Sequence, residues 1–355
     1  MEVLQPFSEL MAGFVCGHLF DRIKNVLLRD MFEEVLRHMK LLCTNSMVVL
    51  GTATEGALST NCFRYDYGKW REIIDYYTRR TCEHTSCVMA DGNVMVCGGM
   101  GQNGEPRDHA MIWTRSRGAI YCPDMFWPRY LHCAVGLRDG RVMVSGGVVY
   151  SKVEIGGIKF RVSGSIEFYC PVDKKWTLSD IILPDLVTRG MLMVVLHSGD
   201  VLMMGSAEGL VDLQTTYIFE VDNSRFRRVS MMKEKRWEAA ATLLPSGKVI
   251  VTGGASYDYH ERPTILRTCE VYDPVSETWE LGPPMNCTRR KHICVVLSDC
   301  VFVSGDIYSP MCEKLRSGAT GWVITADVNL LQTMHAQVVA ILDTHIPKAE
   351  FERYQ

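Results

Sequence analysis

The sequence predicts an all-β fold made of repeated hairpin units, and three features of the 355-residue chain carry this prediction. Short apolar runs end in glycine at regular intervals, turn dipeptides separate pairs of such runs, and aromatic residues follow each pair. Successive spacings range from 47 to 59 residues, because the runs end at Gly51, Gly98, Gly146, Gly205, Gly253 and Gly305. This period is typical of the four-stranded blades of a β-propeller.

Each unit is predicted to begin with a buried hairpin. Its two apolar runs are too short for helices, and a turn dipeptide lies between them. Asp-Gly in this position is a strong hairpin signal, because a two-residue turn needs positive φ at both positions. The glycine pair after the second run permits a close approach of two backbones. The turn dipeptides are Asp91-Gly92, Asp139-Gly140, Ser198-Gly199 and Ser246-Gly247.

The outer half of each unit carries a tyrosine, a tight turn and a tryptophan. The clearest copy is Tyr272-Asp273-Pro274 followed by Trp279. Together with the glycine pairs, this pattern resembles the kelch-repeat family over residues 46–342. The resemblance is looser in two units. One has Ser206 in place of the second glycine, and the last has Asp306 there and no tryptophan at the expected place.

The resemblance implies a propeller, and the order of the strands predicts how it closes. The first unit begins at its second strand, near Ser46, without an apolar partner before it. A last apolar run at residues 335–342 has the pattern of an inner strand and would supply that partner. Closure of the ring would remove open sheet edges. We therefore predict a six-bladed kelch-type β-propeller over residues 45–355, with the first blade built from both ends of this region.

Residues 1–44 form a region of different character, which we predict to be a short helical arm. Apolar residues recur every three to four positions from Met11 to Met39, with charged residues between them. The arm could pack against the flank of the propeller. Alternatively, it resembles a remnant of the BACK region that precedes the propeller in kelch-like ubiquitin-ligase adaptors. It is too short for a BTB domain followed by BACK.

Composition excludes several function classes. The 38 basic and 41 acidic residues give a net charge of −3, which argues against binding nucleic acid through bulk charge. No apolar run reaches the ~18 residues of a membrane-spanning helix, so we expect a cytoplasmic protein. The 14 cysteines include no C-x-x-C pair. We expect reduced thiols inside strands, at Cys87, Cys97, Cys133, Cys294 and Cys300.

No catalytic, metal or cofactor site is predicted. His84, His132 and His292 recur at the start of inner strands, but no second histidine accompanies them at the spacing of a metal site. We interpret them as structural residues. Nucleophile elbows, phosphate loops and paired-carboxylate motifs are absent from the sequence.

Recurring arginines give the predicted partner-binding site. One stands before the inner strand of successive units, so repeat symmetry would place them in a ring around one mouth of the channel. Guanidinium groups pair well with carboxylates, and in the kelch-like adaptors that the chain resembles, such arginines contact acidic degrons. The alternative is that they form salt bridges to neighbouring blades. The predicted residues are Arg80, Arg129, Arg189, Arg236 and Arg290, with Tyr130 and Trp237 as aromatic neighbours.

The sequence thus predicts a non-enzymatic module that binds a protein or an acidic peptide on one propeller face. The resemblance suggests substrate recognition for ubiquitin ligation. Two alternatives stay open at this point: an enzyme that uses the channel face, either a metal-dependent oxidase or sugar-directed, and an actin or cytoskeletal scaffold.

Overall fold

The structure is a computed structural model, and the chain is described in segments. The predicted helical arm, residues 1–44, lies outside the described residues. The described residues are 45–50, 53–54, 57–58, 62–66, 69–73, 83–101, 104–114, 118–153, 157–183, 190–205, 214–257, 262–297, 299–304, 312–325 and 339–343.

Five four-stranded antiparallel sheets follow one another along the chain as blades of an all-β propeller. We name them A to E in chain order. Blade A contains β6 (Thr85–Val88), β7 (Val94–Cys97), β8 (Ala110–Thr114) and β9 (Gly118–Cys122). Blade B contains β11 (Cys133–Gly136), β12 (Val142–Ser145), β15 (Ser165–Cys170) and β16 (Lys175–Ile182). Blade C contains β17 (Leu192–Val195), β18 (Val201–Met204), β19 (Thr216–Glu220) and β20 (Arg225–Arg228).

Blades D and E repeat the same order of strands. Blade D contains β21 (Ala240–Leu243), β22 (Val249–Thr252), β25 (Cys269–Asp273) and β26 (Thr278–Gly282). Blade E contains β27 (Ile293–Leu297), β28 (Cys300–Ser304), β29 (Cys312–Arg316) and β30 (Val323–Thr325).

A further four-stranded sheet, which we call the terminal sheet, combines strands from far apart in the chain. Its order is β31 (Val339–Asp343), β1 (Asn45–Leu50), β4 (Cys62–Asp66) and β5 (Lys69–Ile73). Strand β31 pairs antiparallel with β1, from Asn45 opposite Asp343 to Val49 opposite Val339. This strand lies in the C-terminal region that the sequence predicts as the partner of the first strand.

Shorter strands decorate these sheets. Strand β10 (Arg129–Tyr130) joins the hairpin β13 (Val148–Val153) and β14 (Gly157–Val162) in a three-stranded sheet. Two further hairpins pair β23 (Ala255–Tyr257) with β24 (Pro263–Ile265), and β2 (Ala53–Thr54) with β3 (Ala57–Leu58).

The predicted hairpins are present, but their turns differ from the prediction. Only the glycine of each dipeptide has positive φ, for example 79° at Gly92 and 92° at Gly140. The Gly92 N–H donates to the Met89 carbonyl (2.9 Å), and the Met89 N–H donates to the Asn93 carbonyl (2.8 Å). This is a three-residue loop, in which a type I turn precedes a glycine in the left-handed region. The aspartate contributes a side-chain cap instead, since Asp91 accepts the Asn93 N–H at 3.0 Å.

The core lies between neighbouring blades. The second strand of blades A to D is buried on both faces, as the continuous apolar runs predict. Separate apolar clusters join A to B, B to C, C to D and D to E. The inner strands β6, β11, β17, β21 and β27 also contact one another in this order. Each blade is therefore stabilised by burial against its neighbours.

Tryptophans tie the outer strands to the connection from the preceding blade. The indole of Trp176 donates to the Pro123 carbonyl (2.8 Å), and that of Trp279 to the Ser230 carbonyl (3.0 Å). Trp322 does the same in blade E, where it donates to the Pro283 carbonyl at 2.8 Å. The sequence-based prediction that the last unit lacks this tryptophan is therefore wrong. In blades B and D a tyrosine seven residues before the tryptophan marks its position. Leu315 replaces that tyrosine in blade E, so the sequence did not identify Trp322.

The glycine pairs provide room for two backbones at once, as blade D shows. A Cβ at Gly253 would lie 2.5 Å from the Arg289 carbonyl oxygen, which belongs to the approach to blade E. A Cβ at Gly254 would lie 2.9 Å from the Trp237 carbonyl oxygen in its own blade, and φ there is +94°. The first glycine thus accommodates the next blade and the second accommodates its own.

The ten cysteines whose side chains the structure describes are free. Cys87, Cys97 and Cys294 are buried as predicted, whereas Cys133 and Cys300 are partly exposed. Within the described part of the chain there is no helix long and apolar enough to span a membrane.

Candidate protein-binding face

The structure overturns the predicted role of two arginines. Arg129 and Arg236 have 0% and 1% of their surface exposed, and both lie inside their blades. The Arg129 Nη2 lies 2.6 Å from Glu167 Oε1 on β15, and the Arg236 Nε lies 3.1 Å from Glu270 Oε1 on β25. Neither side chain can reach a partner, because each guanidinium is occupied within its own blade.

The same buried pair recurs in blade E with a shift of one residue from the prediction. Arg289 is fully buried, and its Nη2 lies 3.0 Å from Glu313 Oε1 on β29. Arg290, the predicted residue, therefore occupies the next position of the repeat, which Tyr130 and Trp237 occupy in blades B and D. The partner glutamates were not predicted. A recurring glutamate two residues before the tyrosine position was the signal that could have identified them.

The carboxylates of these glutamates also accept hydrogen bonds from backbone N–H groups. Glu167 accepts the N–H groups of Phe126 (2.7 Å) and Trp127 (3.1 Å), and Glu270 accepts those of Lys233 (2.6 Å) and Glu234 (3.0 Å). Burial lowers the pKa of Arg129, and the Glu167 carboxylate opposes that shift. A guanidinium stays charged under such conditions, so the pair is a buried ion pair that fixes the connection before each inner strand.

Two of the recurring histidines contact side chains of a neighbouring blade. His132 Nε2 lies 3.6 Å from Cys97 Sγ, and His292 Nε2 lies 2.7 Å from Thr252 Oγ1. Burial, with the nearby Arg289 as a smaller cause, lowers the pKa of His292 to about 3. Burial also lowers the pKa of His132 well below its usual range. Both imidazoles are therefore neutral at physiological pH and join neighbouring blades.

The end of the propeller where the inner strands begin carries a set of residues in an unusual backbone conformation. Glu83, Leu131, Glu238 and Lys291 occupy equivalent positions before β6, β11, β21 and β27, and their φ values are 52–54°. Non-glycine residues in this region are uncommon and concentrate at functional sites. We call these four residues the collar.

Hydrogen bonds connect the collar from blade to blade. The Leu131 N–H donates to the Glu83 carbonyl at 3.3 Å, and the Lys291 N–H donates to the Glu238 carbonyl at 2.8 Å. The Lys291 ammonium lies 3.4 Å from the carboxylate of Glu83 and 3.4 Å from that of Glu238. These contacts join the approaches to four inner strands, so the collar is a fixed base for the surface around it.

An aromatic and cationic group lies beside the collar. Trp237 stacks on Tyr257 with ring centroids 6.3 Å apart and an interplanar angle of 20°. The Arg290 guanidinium lies over the Trp237 ring, 5.7 Å from its centroid, and 3.7 Å from Glu238. Tyr257 is 53% exposed and lies on the β23–β24 hairpin. Reciprocal backbone hydrogen bonds between Trp237 and Ala255, at 2.9 and 2.7 Å, fix this hairpin next to the collar.

Blade B also has an aromatic residue next to a hairpin. Tyr130 is partly buried and lies on β10, which pairs with β13 of the second hairpin. We call the surface formed by the collar, Arg290, Tyr130, Trp237 and the two hairpins the mouth face. Of the predicted partner-binding residues, the structure brings Arg290, Tyr130 and Trp237 to this face. Arg80 and Arg189 lie outside the described residues.

Comparisons with known proteins agree with this architecture. A family model for the Kelch motif matches residues 236–286, which cover blade D. An F-box/kelch-repeat protein of Arabidopsis thaliana is 32% identical over 111 residues, which are 31% of this chain and 27% of that protein. Kelch-like protein 23 of Homo sapiens is 28% identical over 269 residues, which are 63% of this chain and 45% of that protein. The chain thus spans less than half the length of both relatives.

The solved structures give the same fold. The structure of YjhT superposes with a TM-score of 0.60 at 12% sequence identity, over 78% of this chain and 97% of that chain. At this identity the likeness concerns the fold alone. Together with the Kelch motif and the kelch-like relatives, it confirms the predicted kelch-repeat resemblance.

Proposed function

We propose that this kelch-repeat β-propeller is a non-enzymatic module that binds a protein partner on its mouth face. The observation that carries the proposal is the rigid group formed by Trp237, Tyr257 and Arg290 beside the collar. Tryptophan, tyrosine and arginine are the residues that dominate binding energy at protein interfaces. The buried and neutral histidines favour a structural role over a catalytic one.

Fewer positive charges than the sequence predicted are available to bind an acidic partner. Arg129 and Arg236 are excluded by their burial, so the positive charge of the collar and of the aromatic group beside it comes from Arg290 and Lys291. Lys291 already balances two glutamates of the collar. We therefore propose that a partner segment places an apolar or aromatic side chain on the Trp237–Tyr257 pair and a carboxylate near Arg290.

Peptide display on the purified full chain would test this proposal. Once a binding segment is selected, Trp237→Ala and Tyr257→Ala should each weaken binding by about tenfold or more, as expected for hot-spot aromatics. Tyr121→Ala is the matched control, because Tyr121 is 57% exposed but lies on the outer strand β9. Wild-type affinity in both mouth-face variants, with normal melting, would place the binding surface elsewhere.

We further propose that the module recognises a substrate for ubiquitin ligation. The matched F-box/kelch-repeat relative favours this role over a cytoskeletal scaffold. In cells that express the chain, the captured partner should carry less ubiquitin when Trp237→Ala replaces the wild type, as measured by mass spectrometry of ubiquitin remnants. Lost binding with unchanged ubiquitination would contradict the ligase role and leave the binding role intact.

We propose a cytoplasmic location for this module. The cysteines that the structure describes in the blades are free, as expected in a reducing compartment such as the cytoplasm, where thiols stay reduced. Fluorescence microscopy of the tagged chain should show diffuse cytoplasmic signal, and accumulation in a secretory compartment would contradict the proposal.

We also propose that the terminal sheet is the sixth blade of a closed ring. Strand β31 contacts both β27 and β6, and the inner strands between these two contact one another in sequence. Removal of residues 335–355 would then expose an unpaired sheet edge, and the variant should be insoluble or melt at lower temperature. Removal of residues 344–355, which follow β31, is the control and should leave melting unchanged. Unchanged melting in both variants would show that the ring closes differently.

The division at residue 45 stays a prediction. If residues 1–44 are a separate arm, a protein of residues 45–355 should melt at the temperature of the full chain. A large loss of stability would show that the arm is part of the propeller core.

A further inference from the structure

Three side chains with metal-binding groups meet at the junction between blades A and B. Asp108 and His109 lie in the connection between β7 and β8, and Asp124 follows β9. The His109 Nδ1 lies 3.0 Å from Asp124 Oδ1 and 3.5 Å from Asp108 Oδ1. One donor atom from each residue lies within 4.8 Å of the other two. None of these residues contributes to the mouth-face group of Trp237, Tyr257 and Arg290.

Backbone hydrogen bonds hold the three residues in place. The His109 carbonyl accepts the Gly98 N–H at 2.9 Å, and the Asp108 carbonyl accepts the Met125 N–H at 2.8 Å. The first bond attaches His109 to the end of β7, and the second attaches the segment that contains Asp124 to Asp108. The donor atoms therefore converge without rearrangement of the backbone, which lowers the entropic cost of binding a ligand.

The spacing of the donors can be compared with the edge of a coordination tetrahedron. With metal–ligand bonds of about 2.0–2.2 Å, the edge of a coordination tetrahedron is about 3.3–3.6 Å. The 3.5 Å distance from His109 Nδ1 to Asp108 Oδ1 lies within this range, and the 3.0 Å distance to Asp124 Oδ1 is slightly shorter than this edge. A proton on Nδ1 can point at only one of the two carboxylates, whereas a cation can bind all three donors. One imidazole and two carboxylates form a donor set that suits zinc and similar first-row ions.

We propose that Asp108, His109 and Asp124 bind a divalent first-row metal ion, for which zinc is the reference ion. The three side chains are 25–55% exposed, so a fourth position faces solvent and would hold water. The ion would join the connection before β8 to the segment after β9. This site is independent of the proposed partner-binding role.

Calorimetric titration of zinc into metal-free full-length protein would test the proposal. His109→Ala and Asp124→Asn should each remove one binding event or weaken it by at least tenfold, because each removes one of three protein ligands. Asp108→Asn should act in the same direction. His197→Ala and Asp222→Asn are matched controls, since these exposed residues lie in turns of blade C, and both should titrate like the wild type.

A spectroscopic measurement separates a formed site from loose surface binding. Cobalt(II) at a site of four-coordinate geometry should give visible absorption that His109→Ala abolishes and His197→Ala retains. Zinc should also raise the melting temperature of the wild type more than that of His109→Ala. Equal zinc affinity in the wild type, His109→Ala and Asp124→Asn would overturn the proposal, and so would the absence of zinc binding. Either failure would leave the binding tests at Trp237 and Tyr257 unaffected.

Discussion

Blades C and D have the same order of four strands, but they differ in the residues that their outer strands carry. Strand register places Phe219 opposite Val201 in blade C and Tyr272 opposite Val249 in blade D. Two residues before these aromatics, blade D has Glu270, the partner of Arg236, whereas blade C has Tyr217. Blade D also has Trp279 where blade C has Phe226. Blade C therefore forms without two of the residues that define the repeat in blade D.

The connection between these two blades shows what the repeat residues do. Glu270 of blade D accepts the N–H groups of Lys233 and Glu234 in this connection. From the other side, Gln214 of blade C donates to the carbonyls of Met232 and Lys233, both at 2.8 Å. The sheets require only the apolar pattern of their strands. The glutamate, arginine and tryptophan fix the connections and hence the surface that these connections build.

The largest expected effect concerns the buried ion pair of blade D. Arg236→Met leaves Glu270 buried without its guanidinium, and this should lower the free energy of unfolding by about 3–5 kcal/mol. Urea denaturation followed by circular dichroism would measure the loss. Arg290→Ala is the control, because Arg290 is partly exposed and 3.7 Å from Glu238, and such pairs contribute about 0–1 kcal/mol. If both variants lost the same free energy of unfolding, the burial of Arg236 would not explain its contribution to stability.

The second expected effect compares the outer strands. Trp279 is 5% exposed and donates a hydrogen bond to the Ser230 carbonyl, whereas Phe226 is partly exposed and packs on Phe219 with centroids 4.9 Å apart. Trp279→Ala should lower the free energy of unfolding by about 3–5 kcal/mol, and Phe226→Ala by less. The same denaturation experiment measures both. A greater loss in Phe226→Ala would mean that the tryptophan is not what ties blade D to its connection.

The smallest expected effect is a pH dependence at the D–E interface that the C–D interface lacks. His292 bonds Thr252 between blades D and E, whereas Ala239 takes the equivalent position next to blade C. Burial lowers the folded-state pKa of His292 to about 3, below the ~6.5 of an unfolded chain. The unfolded state therefore binds a proton that the folded state does not, and stability decreases as pH falls from about 6.5 towards 3.

The difference can be measured against a variant that does not titrate there. Between pH 7 and pH 5, the wild type should lose about 2 kcal/mol more than His292→Gln. If the free energy of unfolding of the wild type and of His292→Gln varied with pH in the same way, His292 would not be the cause of the pH dependence.

Strands and turns were predictable because their signals are local. The alternation of apolar runs with Asp-Gly and Ser-Gly placed the hairpins of blades A to D correctly. The turn type was predicted wrongly, because the dipeptide alone does not show that a third residue belongs to the loop. Trp322 was missed for a related reason, since Leu315 replaces the tyrosine that marks the repeat.

Two of the predicted binding residues, Arg129 and Arg236, are buried, and the sequence did not show this because of distance along the chain. The sequence by itself determined the repeat, the all-β class and the residues that approach each inner strand. It could not decide which of these residues are buried, because Arg129 and Arg236 meet their glutamates 38 and 34 residues later. Only the tertiary structure shows that these arginines are buried in their blades, whereas Trp237 and Arg290 are partly exposed. The physical reason is that a buried guanidinium requires a carboxylate in the same buried space, and strand pairing alone brings the two together.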